Sequence, residues 1–170
     1  MAAPRFLVRA LGGSTDAAAA VVGGAGSANM LVGTNAAGTI DPTFLPAGIG
    51  GDVTTLPATE AIAAGALINI WSNAGVASVR NADSATASAG KPADGFVNAA
   101  VAQGANATVY ASGQDTGLTG LTPGSLYYLG PSGAVTATPP SARGTTVQQV
   151  GRAYSATVLD VQIKAPIAIS

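Results

Sequence analysis

The stretch Leu67-Ile68-Asn69-Ile70-Trp71-Ser72-Asn73-Ala74-Gly75-Val76-Ala77-Ser78-Val79-Arg80 decides the fold class. Leu67 to Trp71 alternates large apolar residues with smaller or polar ones, the two-residue period of a half-buried strand. Asn73-Ala74-Gly75 is a hairpin turn signal, because Asn and Gly accept the positive φ that tight hairpin turns require. Val76 to Arg80 alternates again. Strand, turn and strand predict an antiparallel hairpin.

The same grammar continues toward the C-terminus. Gly95 to Val101, Ala107 to Ala111, Leu126 to Leu129, Val147 to Ala153 and Val158 to Ile163 read as further strands. Gln103-Gly104-Ala105-Asn106, Thr122-Pro123-Gly124, Gly130-Pro131-Ser132-Gly133 and Thr138-Pro139-Pro140 separate them as turns. Asn81 to Pro92 reads as a loop, and Glu60 to Gly65 has room for a single turn. Short strands spaced by roughly ten residues predict a small antiparallel sandwich or barrel. The expected fold class is therefore all-β, with the β-rich domain over residues 51–170.

Residues 1–50 have a different character and are expected to form an extended, mostly irregular N-terminal arm. Arg5 to Arg9 reads as a short strand followed by a turn at Leu11-Gly12-Gly13-Ser14. Asp16 to Ala28 is an Ala/Gly tract. Ala favours helix but Gly23, Gly24 and Gly26 oppose it, so extended chain or one short helix is expected. Met30-Leu31-Val32 reads as a second short strand, and Asn35-Ala36-Ala37-Gly38 as a turn. The segment Asp41 to Gly50 (DPTFLPAGIG) then places Phe44, Leu45 and Ile49 on chain that Pro42, Pro46, Gly48 and Gly50 keep out of helix and sheet. Large apolar groups on irregular chain need a surface to bury them. With Phe6 of the first strand, they are the candidate contact residues toward another subunit or another protein. The alternative is that they close the bottom of the chain's own barrel.

Composition narrows the function. Only 9% of the 170 residues are charged and the net charge is −1. No basic footprint for nucleic acid exists. So few charges leave a free monomer poorly solvated and favour an assembled state. The chain has no His and no Cys. That removes the commonest general base, the commonest transition-metal ligand, thiolate chemistry and disulfides. The longest apolar run, Ala17 to Gly26, is about half the ~20 residues a membrane-spanning helix needs. The opening MAAPRFLVRALGGSTD is broken by polar residues before an apolar region develops, unlike a signal peptide. An intracellularly made product is the expectation.

Motifs with chemical meaning are weak. Gly23-Gly24-Ala25-Gly26-Ser27-Ala28-Asn29 has Asn where the dinucleotide fingerprint needs its third Gly, and Gly90-Lys91-Pro92 has Pro where a P-loop needs Ser or Thr. Asn106-Ala107-Thr108 matches a glycosylation acceptor, a motif common by chance. Asp94 and Asp115 lie near expected turns and read as solvated turn residues rather than an acid–base pair. Trp71, Tyr110, Tyr127 and Tyr128 could stack a base or a sugar, but they sit in strand-like segments where core or interface packing is the stronger reading. No catalytic, cofactor-binding or metal-binding residue is assigned.

Several motifs, in order, resemble the bacteriophage capsid cement, or head decoration, proteins. They are RFLVRALGG, MLVGTNAAGTIDPTFLPAGIG, EAIAAGALINIW, GKPADGFVNAAVAQGANATVYASG, LTGLTPGSLYYLG and VQQVGRAYSATVLDVQI. The resemblance covers nearly the whole chain. It implies a structural virion protein on the outer surface of the phage capsid, a homotrimer or otherwise symmetric unit, with the major capsid protein as partner. It implies no enzyme activity, cofactor, nucleic acid or membrane partner. A phage tail or fibre component and a carbohydrate-binding β-module are the alternative functions.

Overall fold

The computed structural model describes residues 5–10, 13–20, 31–34, 40, 53–85 and 90–170. The chain divides into two compact units, Met1–Gly50 and Gly51–Ser170. In the first unit, β1 (Arg5–Ala10) and β2 (Gly13–Ala20) form an antiparallel hairpin, from Arg5↔Ala18 to Ala10↔Gly13. β3 (Leu31–Val32) lies parallel to β2. The expected strand at Arg5 is present. Gly13 and Ser14, expected in the turn, instead pair with Ala10 and Arg9. Asp16 to Ala20 is strand rather than helix, because β1 supplies ladder partners that outweigh the small helical preference of Ala.

The second unit is built on two five-stranded sheets. The first comprises β4 (Val53–Pro57), β5 (Leu67–Asn73), β6 (Val76–Asn81), β7 (Gly95–Phe96) and β8 (Asn106–Tyr110). Its order is β4-β8-β7-β5-β6. The β5–β6 hairpin is the one expected, registered from Ile68↔Asn81 to Asn73↔Val76. Ala74 and Gly75 close it with φ of 50° and 86°, so both central residues of the turn are left-handed as a type I′ turn requires. The sheet curls until its edges meet. A parallel bridge joins Ala58, just past β4, to Val79 of β6, and the Thr59 N–H donates to the Val79 carbonyl at 2.9 Å. Ala58, Ile62, Ala66, Ile68, Val79, Val97, Ala107 and Val109 fill the enclosed space. Three alanines among them suit the narrow interior of so small a closure.

The second sheet comprises β9 (Ser112–Asp115), β10 (Leu126–Leu129), β11 (Val135–Thr136), β13 (Gln149–Ala153) and β14 (Leu159–Gln162). Its order is β11-β10-β13-β14-β9, antiparallel throughout. A separate pair joins β12 (Thr146–Val147) to β15 (Ile167–Ala168). The second core lies between the two sheets. Leu67 and Phe96 come from the first sheet, and Tyr127, Leu129, Val150, Leu159 and Val161 from the second. Adjacent residues of β5 therefore enter different cores, Leu67 one and Ile68 the other, and both are fully buried. Each such side chain contributes roughly 1.5–3 kcal/mol on leaving water.

The structure refines the expected strands. Gly95 to Val101 shortens to Gly95–Phe96, and the single strand expected over Val147 to Ala153 is interrupted at Gln148. β4, β9, β11 and β15 were not evident in the sequence pattern. The segment Glu60 to Gly65 carries the bridge Ile62↔Val101 rather than a helical turn.

Candidate functional site

Phe6 lies in β1, its Cα opposite Ala17. Phe44, Leu45 and Ile49 lie outside the described residues. The candidate contact residues are therefore not brought together among the described residues.

Much of the polar chemistry of the second unit is engaged in holding the fold. The Gln148 side chain accepts from the Ala93 N–H at 2.7 Å and donates to the Ala93 and Lys164 carbonyls, each at 3.0 Å. Glu60 accepts from the Asn81 main chain at 2.7 Å and side chain at 2.9 Å. Asn98 accepts from the Thr116 N–H at 2.8 Å. Asp94 is exposed, and its Oδ2 accepts from Asn69 Nδ2 at 2.9 Å and the Ile70 N–H at 2.8 Å. Asp115 departs from the expected solvated turn residue. It ends β9 opposite Leu159 and is fully buried. Its Oδ1 accepts from the Gly117 N–H at 2.9 Å while Oδ2 has no partner among the described residues. Burial pushes its pKa up, and the Gly117 hydrogen bond opposes that only in part.

Most aromatics packed as the strand reading expects. Tyr110 stacks on Phe96 with ring centroids 5.3 Å apart. Tyr127 is buried, its hydroxyl accepting from the Thr122 N–H at 2.9 Å. Trp71 is half-buried and covered by the Arg80 guanidinium, 4.7 Å from the ring centroid. Arg80 is in turn fixed by Nε donating to Asn69 Oδ1 at 2.9 Å. That face of Trp71 is occupied.

Tyr154 is the exception, with 58% of its surface exposed. It borders a depression of about 350 Å³ on the second sheet, together with Gln149, Arg152, Asp160 and Gln162. Strand pairing sets Arg152 directly opposite Asp160. Asp160 Oδ2 accepts from the Tyr154 hydroxyl at 2.9 Å and from Gln162 Nε2 at 2.8 Å. Arg152 Nη1 donates to the Gly124 carbonyl, which leaves its remaining N–H groups unused by the described protein atoms. The sequence contained a signal for this face. Polar residues alternate with apolar ones through Leu159-Asp160-Val161-Gln162, so Asp160 and Gln162 share the side opposite the core.

Large apolar side chains also remain at the surface of the second unit. Val53, Ile70, Val76 and Ile167 are 43%, 39%, 57% and 66% exposed. No group of three or more Asp and Glu residues able to hold a metal ion occurs among the described residues. No described helix is long and apolar enough to cross a membrane.

No protein-family model matches the chain, and no curated protein matches it. Among solved structures, the head fiber gp8.5 N base of bacteriophage phi29 is similar at 16% identity and a TM-score of 0.43, over 65% of this chain and 92% of that one. A likeness this loose assigns no function.

Proposed function

We propose that this chain is a structural protein of a bacteriophage particle, a decoration protein that binds the outer surface of the head and strengthens contacts between capsomers. The observation that carries the reading is where the resembling motifs fall in the fold. EAIAAGALINIW supplies β5, whose Leu67 and Ile68 enter both cores. GKPADGF supplies Ala93 and Phe96, LTPGSLYYLG supplies Tyr127 and Leu129, and VQQVGRAY supplies Gln148 and Val150. The motifs specify a scaffold, and a scaffold presenting area and shape is what a cement protein needs. Val53, Ile70, Val76 and Ile167, exposed on a chain with 9% charged residues, fit a surface that is covered in an assembly.

In this reading the partners are the major capsid protein and further copies of this chain, arranged as a homotrimer. Closed symmetry multiplies weak contacts into stable attachment. The protein acts without catalysis, cofactor or metal. Electron microscopy of intact particles carrying a tagged copy tests the assignment. Density over the capsomer surface is the expected result, whereas density confined to the tail makes the protein a tail or fibre component instead.

A further inference from the structure

We infer that the depression beside Tyr154 is a binding site for neutral glycans, a function separate from attachment to the head. A site for sugars needs an apolar ring for the C–H face of a pyranose and fixed polar groups for its hydroxyls. Tyr154 offers the ring, 58% exposed. Its hydroxyl is tied to Asp160 at 2.9 Å, which limits the motion of the side chain.

Asp160 is prepared in the same way. Oδ2 holds two donors, the Tyr154 hydroxyl and Gln162 Nε2, while Oδ1 accepts no hydrogen bond from the described protein atoms. One oxygen thus fixes the carboxylate and the other is available to a sugar hydroxyl. Across the strand pair stands Arg152, anchored through one nitrogen to the Gly124 carbonyl and able to donate from the others. Gln149 adds an amide that donates and accepts. Adjacent hydroxyls of one sugar can then donate to Asp160 and accept from Arg152. Asp160 and Arg152 offset each other in charge, so the site suits a neutral ligand better than an anionic one. The depression, about 350 Å³, is large enough for a short oligosaccharide.

Saturation-transfer NMR on the full chain tests this, using neutral oligosaccharides of glucose, galactose, mannose and N-acetylglucosamine as probes. Saturable binding of at least one probe is expected. Tyr154→Ala and Asp160→Ala should each weaken it about ten-fold or more. Trp71→Ala, on the other sheet, should leave it unchanged, and a cooperative thermal unfolding transition should show that each variant is folded. If no probe binds, or if Tyr154→Ala binds as the parent does, the site is not a glycan site. Either failure leaves the proposed attachment to the head untouched, because that rests on different residues.

Discussion

The Gln148 carboxamide pairs with the main chain of Ala93 as one strand pairs with another, accepting from its N–H at 2.7 Å and donating to its carbonyl at 3.0 Å. Gln148 is fully buried, and the two residues are 55 positions apart in the chain. A side chain here supplies the hydrogen bonds that no strand is placed to supply. Phe96, just beyond Ala93, and Val150, just beyond Gln148, lie in the core between the sheets, so the pairing helps hold that core closed.

Replacing Gln148 should therefore be severe. Gln148→Leu strands the buried N–H and carbonyl of Ala93, at about 1–3 kcal/mol for each group left unsatisfied, whereas the carbonyl of the exposed Lys164 can turn to water. A total loss of about 2–5 kcal/mol is expected, read from the midpoint of denaturant unfolding. Gln148→Glu keeps the shape but turns an oxygen toward the carbonyls of Ala93 and Lys164, and should be at least as damaging at neutral pH. Parent-like midpoints for both variants would show that the pairing contributes little.

Gly117 and Gly65 provide a second test. A Cβ on Gly117 would stand 2.4 Å from the Gly65 nitrogen, and one on Gly65 would stand 2.7 Å from the Gly117 carbonyl carbon. Backbone packs directly on backbone, so neither side can yield by a change of rotamer. Gly117→Ala should destabilise by about 3 kcal/mol, the upper part of the range for overpacking. Gly75 is the control: its φ is 86° but no atom of the described residues lies within 4 Å of where a Cβ would stand. Gly75→Ala should cost only the left-handed strain, about 1–2 kcal/mol. Thermal melts that rank the two in the opposite order would count against backbone contact as the cause.

How much was legible in the sequence follows from which forces act locally. The β5–β6 hairpin and β10 carry alternation and turn residues within a few positions, so their strands and the hairpin turn were readable. β9 reads Ser-Gly-Gln-Asp and has no strand-forming composition. It forms because the chain leaves β8 and, one residue later, finds β14 as a partner. Gln148 broke an expected strand for a reason 55 positions away. Asp115 looked like a turn residue because its own neighbours are polar, whereas its burial comes from the packed unit. The side of β13 and β14 that carries Arg152 and Asp160 was readable as polar, but its depression depends on how the sheet bends.

The candidate contact residues Phe44 and Leu45, taken as an anchor on the capsid, make a separate prediction. Phe44→Ala with Leu45→Ala should leave the protein folded and weaken its binding to purified capsids. Side chains of this size are each worth roughly 1.5–3 kcal/mol when buried, so a loss of about ten-fold or more in affinity is expected. Co-sedimentation with capsids measures it. Unchanged binding would discard the anchor, and failure of the double variant to fold would assign the pair to the protein's own core.

Asp115 should make stability depend on pH in a direction opposite to the usual carboxylate. An Asp held by a cation or several donors has a lowered folded pKa and stabilises the protein above it. Asp115 is fully buried, has one oxygen without a partner among the described residues, and has its folded pKa raised, chiefly by lost hydration. The folded state then binds the proton more tightly than the unfolded chain, whose Asp titrates near ~3.9. By linkage, the stability this proton gives is complete below the unfolded pKa and is lost as pH rises through the folded one. Asp115→Asn keeps an oxygen to accept from Gly117 and removes the titration. The melting temperature of the variant minus that of the parent should therefore increase as pH is raised from about 4 to about 8, by a few degrees for a change of about 1 kcal/mol. Taking the difference cancels the other carboxylates, which both proteins share. A difference that stays flat across that range, or falls with rising pH, would mean that Asp115 is ionised in the folded protein without penalty and that its second oxygen has found a partner.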